Sequence, residues 1–212
     1  MLGIHDLPLF IVSGLLLNLM PGPDSLYIMS QSARQGWRAG FAAAQGIGTG
    51  VLVHIGAAAL GLSALLATSA TAFGVVKLLG AAYLLYLGWQ SLRPSAPAAT
   101  TAAQAAAEAR PLGRIFWQGF LTNALNPKVA LFFLAFMPQF IAPQAPHKAL
   151  AFIALGLLFN FNGMLWCHLL AWLTAGARNR LRLPLAWRRR MEQGMGLLFL
   201  GLGARLALSG RG

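Results

Sequence analysis

Only four acidic residues occur in the 212-residue chain, and one of them, Asp24, lies inside an apolar run from Leu7 to Met29. At about 1.5 Å per residue that run is long enough to cross a hydrocarbon core of roughly 30 Å. An ionised carboxylate at such a depth costs from about 2.5 kcal/mol upward, so a chain that keeps one there has a partner or a task for it. Asn18, Pro21, Gly22 and Pro23 surround it. Two prolines and a glycine predict a helix that breaks near Pro21 and restarts at Pro23, where the fixed φ of proline suits a first helical position. The alternative, a loop after Met20, leaves a first span of only about 14 residues, short for a crossing.

A second stretch echoes the first with the opposite charge. Gly14 and Asn18 recur 105 positions on as Gly119 and Asn123, and Pro23 and Asp24 recur 104 positions on as Pro127 and Lys128. One residue is lost at the break. A capping residue precedes each restarting proline, Gly22 in one copy and Asn126 in the other. Restarted helices offer free N–H groups and a positive dipole end to a carboxylate, Lys128 adds a cation, and Asp24 suits an ammonium or a proton. A zwitterion satisfies both sets. A structural salt bridge between Asp24 and Lys128 is the competing reading, and the two can hold at different stages of one cycle.

The elements that must position these groups are helices in lipid. The chain is 58% hydrophobic and 9% charged, with 24 glycines, whereas soluble domains carry about 25% charged residues. Six apolar segments run from Leu7 to Met29, Gly40 to Leu66, Ala72 to Leu92, Ile115 to Phe140, Ala149 to Gly176 and Met191 to Ser209. Arg205 interrupts the last and Lys77 lies early in the third, where both can snorkel. The net charge of +12 raises the possibility of nucleic acid, but its distribution argues against it. Arg34, Arg38, Arg93, Arg110, Arg114 and the six arginines from Arg178 to Arg190 fall in odd-numbered connectors, and Lys148 alone falls in an even one. The positive-inside rule then puts both termini outside and the odd connectors in the cytoplasm. Residues 93–114 form an Ala, Pro and Thr-rich linker between a first half, 1–92, and a second half, 115–212. The mix of Leu, Trp187 and Arg from Arg180 to Met191 suits an interfacial segment, although topogenic charge already explains its arginines. With three spans per half, the second copy enters the membrane from the opposite side, as in the inverted repeats of secondary transporters. The expected fold is an all-α membrane protein of six transmembrane helices, two inverted three-helix repeats with the first and fourth helices broken.

Other residues are candidates for the polar centre. Gln45, Thr49 and His54 share the second span, and Asn160, Asn162 and Trp166 share the fifth. Histidine is the side chain suited to relay protons near neutral pH, which makes His54 and His168 candidates for a relay, though a histidine bonded between helices is the commoner case. Gly46-Ile47-Gly48-Thr49-Gly50 follows no strand and suits close helix packing rather than phosphate binding. Cys167 has no partner cysteine, so neither a disulfide framework nor a cysteine metal site is expected. The N-terminus lacks a basic n-region, so no cleavable signal is expected. Paired-carboxylate hydrolysis lacks a second acid deep in a span, and no enzyme activity is expected.

Pro21-Gly22-Pro23-Asp24, the Gly36-Trp37-Arg38-Ala39-Gly40 turn, and Gly119 to Lys128 followed by Ala130-Leu131-Phe132-Phe133 and Pro138-Gln139-Phe140 resemble the LysE/RhtB family of bacterial amino-acid exporters. The resemblance runs from Leu7 to about Leu208 and is poorest in the Ala-rich linker. It implies an inner-membrane efflux protein for amino acids such as lysine, homoserine or threonine, exchanging substrate for protons. It carries the family's Pro-Gly-Pro-Asp onto Pro21 to Asp24 and its Asn-Pro-Lys onto Asn126 to Lys128. The expected partners are a small amino acid, protons and membrane lipid, without nucleic acid, metal or other cofactor; a homo-oligomer is compatible with the sequence. Two rivals are a passive ion or metal pore, for which one buried acid is poor material, and a non-transporting scaffold, in which Asp24 and Lys128 serve only to pair.

Overall fold

The computed structural model describes residues 2–20, 22–62 and 109–176, with scattered helical positions between 74 and 92 and between 193 and 204. Helix α1, Leu7–Leu19, ends at Met20, and α2, Pro23–Gln35, restarts at the expected proline. The two axes are bent by 52°. Gly36 alone links α2 to α3, Trp37–Ala57. Its φ of +81° is a left-handed value that glycine adopts without steric cost, which is why so short a hairpin closes there. A π-helical turn, Ala58–Leu62, prolongs α3.

Helix α4, Leu112–Ala124, breaks at Leu125 and Asn126, and α5 begins at Pro127. Beyond Leu131 it widens into a π turn, Phe132–Phe136, and tightens into a 3₁₀ turn, Met137–Phe140. The whole limb is bent by 45° from α4. Its far end is tied to the N-terminal strand-like segment by an Ile4–Ile141 bridge and by Ala142 N–H donating to the Gly3 carbonyl at 2.8 Å. Helix α6, Lys148–Gly176, is unbroken over 29 residues.

Glycines set how closely and in which direction these helices meet. A Cβ on Gly46 would strike the Phe116 carbonyl, and one on Gly50 would sit 2.8 Å from that of Phe120. Helices α3 and α4 therefore run parallel with their backbones in contact. Against α6 the order reverses: Gly40 meets Ala171, Gly48 meets Met164 and Ile55 meets Gly156. Asp24 and Tyr27 of α2 hydrogen-bond to Asn123 and Ile115 of α4, which makes that pair antiparallel too. The two broken limbs, α1–α2 and α4–α5, accordingly point in opposite directions, as an inverted repeat requires.

Four candidate spans are thus present among the described residues, two continuous and two broken. The third and sixth segments lie largely outside the described residues, as do Arg93 to Glu108 of the linker and the arginine-rich stretch Arg178 to Arg190. At described positions the two segments touch, Gly203 lying against Ala81 and Leu85. Phe10, Phe132, Phe136, Phe140 and Phe159 interlock in the larger core, while Trp117, Leu165 and Trp172 are about three-fifths exposed, an outward apolar face suited to lipid.

Candidate functional site

The first break leaves the carbonyls at the end of α1 without helical partners. Lys128 of the opposite limb supplies them: its Nζ donates to the Leu17 carbonyl at 2.9 Å and to the Met20 carbonyl at 3.2 Å. A cation at a helix C-terminus also opposes the negative end of the dipole. On the other side of the break, Gly22 is extended and offers no side chain to cap α2, whose Leu26 N–H returns to the Gly22 carbonyl at 3.0 Å. The start of α2 lies beside the same ammonium, since a Cβ on Gly22 would stand 3.7 Å from Lys128 Nζ.

The second break closes itself. Asn126 Oδ1 accepts the Lys128 backbone N–H at 3.0 Å and caps α5, while the Asn126 N–H donates to the Asn123 carbonyl at 2.8 Å. That carbonyl also receives His54 Nε2 at 2.9 Å; a carbonyl only accepts, so Nε2 carries the proton. His54 is buried and stacked on Phe133. It is bonded between helices, its ring engaging the backbone of the break.

Asp24 connects the two breaks in the other sense. Its Oδ2 accepts from Asn123 Nδ2 at 2.9 Å and from Asn126 Nδ2 at 3.1 Å. Its Oδ1 is buried without a hydrogen-bond partner, an exception among buried polar atoms. Asp24 and Lys128 do not form a direct ion pair; among the described residues the ion pair within 4 Å is His5–Asp6. The salt-bridge reading is corrected on that geometry: each charge is held by the polar groups of the opposite break instead of by the other charge. Two of the three Lys128 N–H donors are engaged by the Leu17 and Met20 carbonyls, which leaves one.

A cavity of about 40 Å³, space for roughly three waters, lies between the breaks. Asn18, Gly22, Asp24, Asn123, Asn126 and Lys128 line it, joined by Asn160 from α6. Pro23 and Pro127 begin the flanking helices, and Pro21 lies outside the described residues. Gln45 and Thr49 are not part of the lining. Thr49 Oγ1 donates to its own helix at the Gln45 carbonyl, and Gln45 meets His168 Nε2 at 3.4 Å. The close seating of Gly46 and Gly50 on α4 rotates that face of α3 away from the cavity. Asn162 and Trp166 are likewise off the lining, whereas Gly163, Met164 and Cys167 are on it. The sequence reading missed those three, although with Asn160 they follow an i, i+3, i+4, i+7 spacing that marks one helix face. Among the described residues no three His, Cys, Asp or Glu side chains gather to hold a metal ion.

Comparison with known proteins agrees with this architecture. The family model of the LysE type translocator matches residues 15–210. An uncharacterized membrane protein of Pseudomonas aeruginosa is 35% identical over 97% of this chain and 96% of its own. The leucine efflux protein of Salmonella typhimurium is 31% identical over the same shares. The homoserine/homoserine lactone efflux protein of that organism is 36% identical over 66% of each chain. No solved structure matches. Two opposed broken helices with their charges crossed at a small cavity, and a family match over nearly the full length, lead to one assignment: this multi-pass membrane protein belongs to the LysE type translocator family.

Proposed function

We propose that this protein exports a small neutral amino acid from the cytoplasm across the bacterial inner membrane in exchange for protons, with both termini outside. The observation that carries the proposal is the divided carboxylate of Asp24, a residue of the cavity lining, with one oxygen held by two asparagines and the other buried and unpartnered. An acceptor left open beside helix breaks suits a substrate ammonium, and after release the same oxygen suits a proton. The substrate carboxylate has its partners at the first break, in the remaining Lys128 N–H donor and the uncapped start of α2. Asn18, whose Nδ2 is buried without a partner, adds a neutral donor. Proton entry from outside neutralises Asp24, which removes the cost of carrying a bare carboxylate through lipid on the return. The relatives named for leucine and homoserine efflux support an uncharged side chain.

The test is export from cells loaded with leucine through a leucine dipeptide. Asp24→Asn keeps the shape of the side chain and removes its charge, so export falls to background while the protein remains in the membrane. Wild-type export by that variant refutes the role of Asp24. In proteoliposomes, leucine-dependent proton movement supports exchange, and conductance without an organic substrate favours a pore.

A further inference from the structure

The acid and the ammonium of the cavity come from the broken limbs, so a zwitterion held there by both ends directs its side chain toward the remaining wall. Helices α3 and α6 build that wall from Ile47, Gly48, Val51, Phe159, Met164 and Cys167, with Asn160 as its polar member. It presents no carboxylate, so a cationic side chain finds no counter-charge there, whereas an apolar one exchanges water for hydrocarbon contact.

Within this wall one pair stands in a particular relation. A Cβ on Gly48 would overlap the Met164 sulfur, and the Met164 Cγ and Cε would both lie 3.1 Å from it. The Met164 side chain therefore lies across the bare backbone of α3 while still lining the cavity, and the missing Gly48 side chain is what leaves it that room. Methionine has three rotatable bonds and a polarizable sulfur, so it fills irregular space and yields to a neighbour.

We infer that Met164, seated on Gly48, sets the length limit of a neutral substrate side chain. The inference rests on the transport reading and deepens it. Met164 touches the far end of the substrate and takes no part in proton exchange. Shortening it enlarges the compartment; adding a methyl group at Gly48 pushes it into the cavity and shortens the compartment.

The experiment loads cells with dipeptides of leucine, phenylalanine, alanine or lysine and measures export of each, with membrane levels of every variant determined in parallel. Wild type exports leucine in preference to phenylalanine and lysine. Met164→Ala raises the phenylalanine-to-leucine ratio about tenfold, the low end of what a change of methylene size does in an apolar pocket. Gly48→Ala lowers the leucine-to-alanine ratio by a similar factor, and Gly48→Ala with Met164→Ala restores it. Met164→Val serves as the second truncation should Met164→Ala not reach the membrane. An unchanged ratio in the truncated variants, or a wild type that prefers lysine, overturns the inference and leaves amino-acid export standing. A wild type that exports no amino acid refutes the transport reading itself.

Discussion

The two helix breaks are copies in sequence and opposites in construction. The break after α1 spans Met20 to Gly22 and borrows its stabilisation: its carbonyls depend on Lys128 from the other limb, and its restarting helix has no side-chain cap. The break after α4 is one residue shorter and is largely self-sufficient, with Asn126 capping α5, and Asn126 N–H and His54 serving the Asn123 carbonyl. An element that relies on a distant group is released when that group is drawn elsewhere. In an inverted-repeat transporter this makes the first break the one suited to respond to a ligand and the second the one suited to hold Asp24 in place.

Lys128→Met sharpens the contrast most. It leaves the Leu17 and Met20 carbonyls, on a buried and a half-buried residue, without that donor at roughly 1–3 kcal/mol each, so a loss of about 3 kcal/mol in SDS-induced unfolding is expected together with loss of export. Unchanged stability would make the borrowed cap unimportant. Next come the repeat-related glycines. A Cβ on Gly119 would lie 2.6 Å from the Ala43 backbone carbonyl, whereas one on Gly14 would lie 3.1 Å from the ring of Phe159, a side chain. Overpacking costs about 1–3 kcal/mol; Gly119→Ala is expected near about 2 kcal/mol and Gly14→Ala well below it, measured in the same unfolding assay. Equal costs would mean that the α3–α4 seam yields as easily as a ring.

Asn126→Ala removes a helix cap and one of the two donors to Asp24. A cost of about 1 kcal/mol is expected, with export weakened but not abolished because Asn123 still holds the carboxylate. The smallest effect is expected at the matching position of the first break. Gly22 has an extended φ of −150° that any residue adopts, and a methyl group there meets Lys128 Nζ only at 3.7 Å. Gly22→Ala is expected within about 0.5 kcal/mol of wild type, and a larger loss would show that the break is more constrained than its backbone implies.

Most of the architecture was legible in the chain because it depends on local chemistry. Pro23 and Pro127 start helices wherever they are placed, hydropathy over Lys148–Gly176 marks a span, and the shift from 105 to 104 positions between the repeats anticipated the shorter second break. The partners of the charges were not legible. Asp24 and Lys128 attract by sign, yet each is bound to neutral groups of the opposite break, an outcome that depends on how two limbs cross in space. The rotation of α3 was equally hidden, since Gln45, Thr49, Gly46 and Gly48 follow one another in sequence and only the seating of Gly46 on Phe116 decides which of them face the cavity.

By itself the sequence determined that this is a bundle of lipid-embedded helices with two breaks, an acid at one and a base at the other, because hydropathy, proline and glycine act within a few residues of themselves. Only the tertiary structure decided that the acid keeps one oxygen free and that the base is engaged with carbonyls. Hydrogen-bond partners 99 to 111 residues apart are selected by packing, and close glycine contacts between helices leave room for few alternatives.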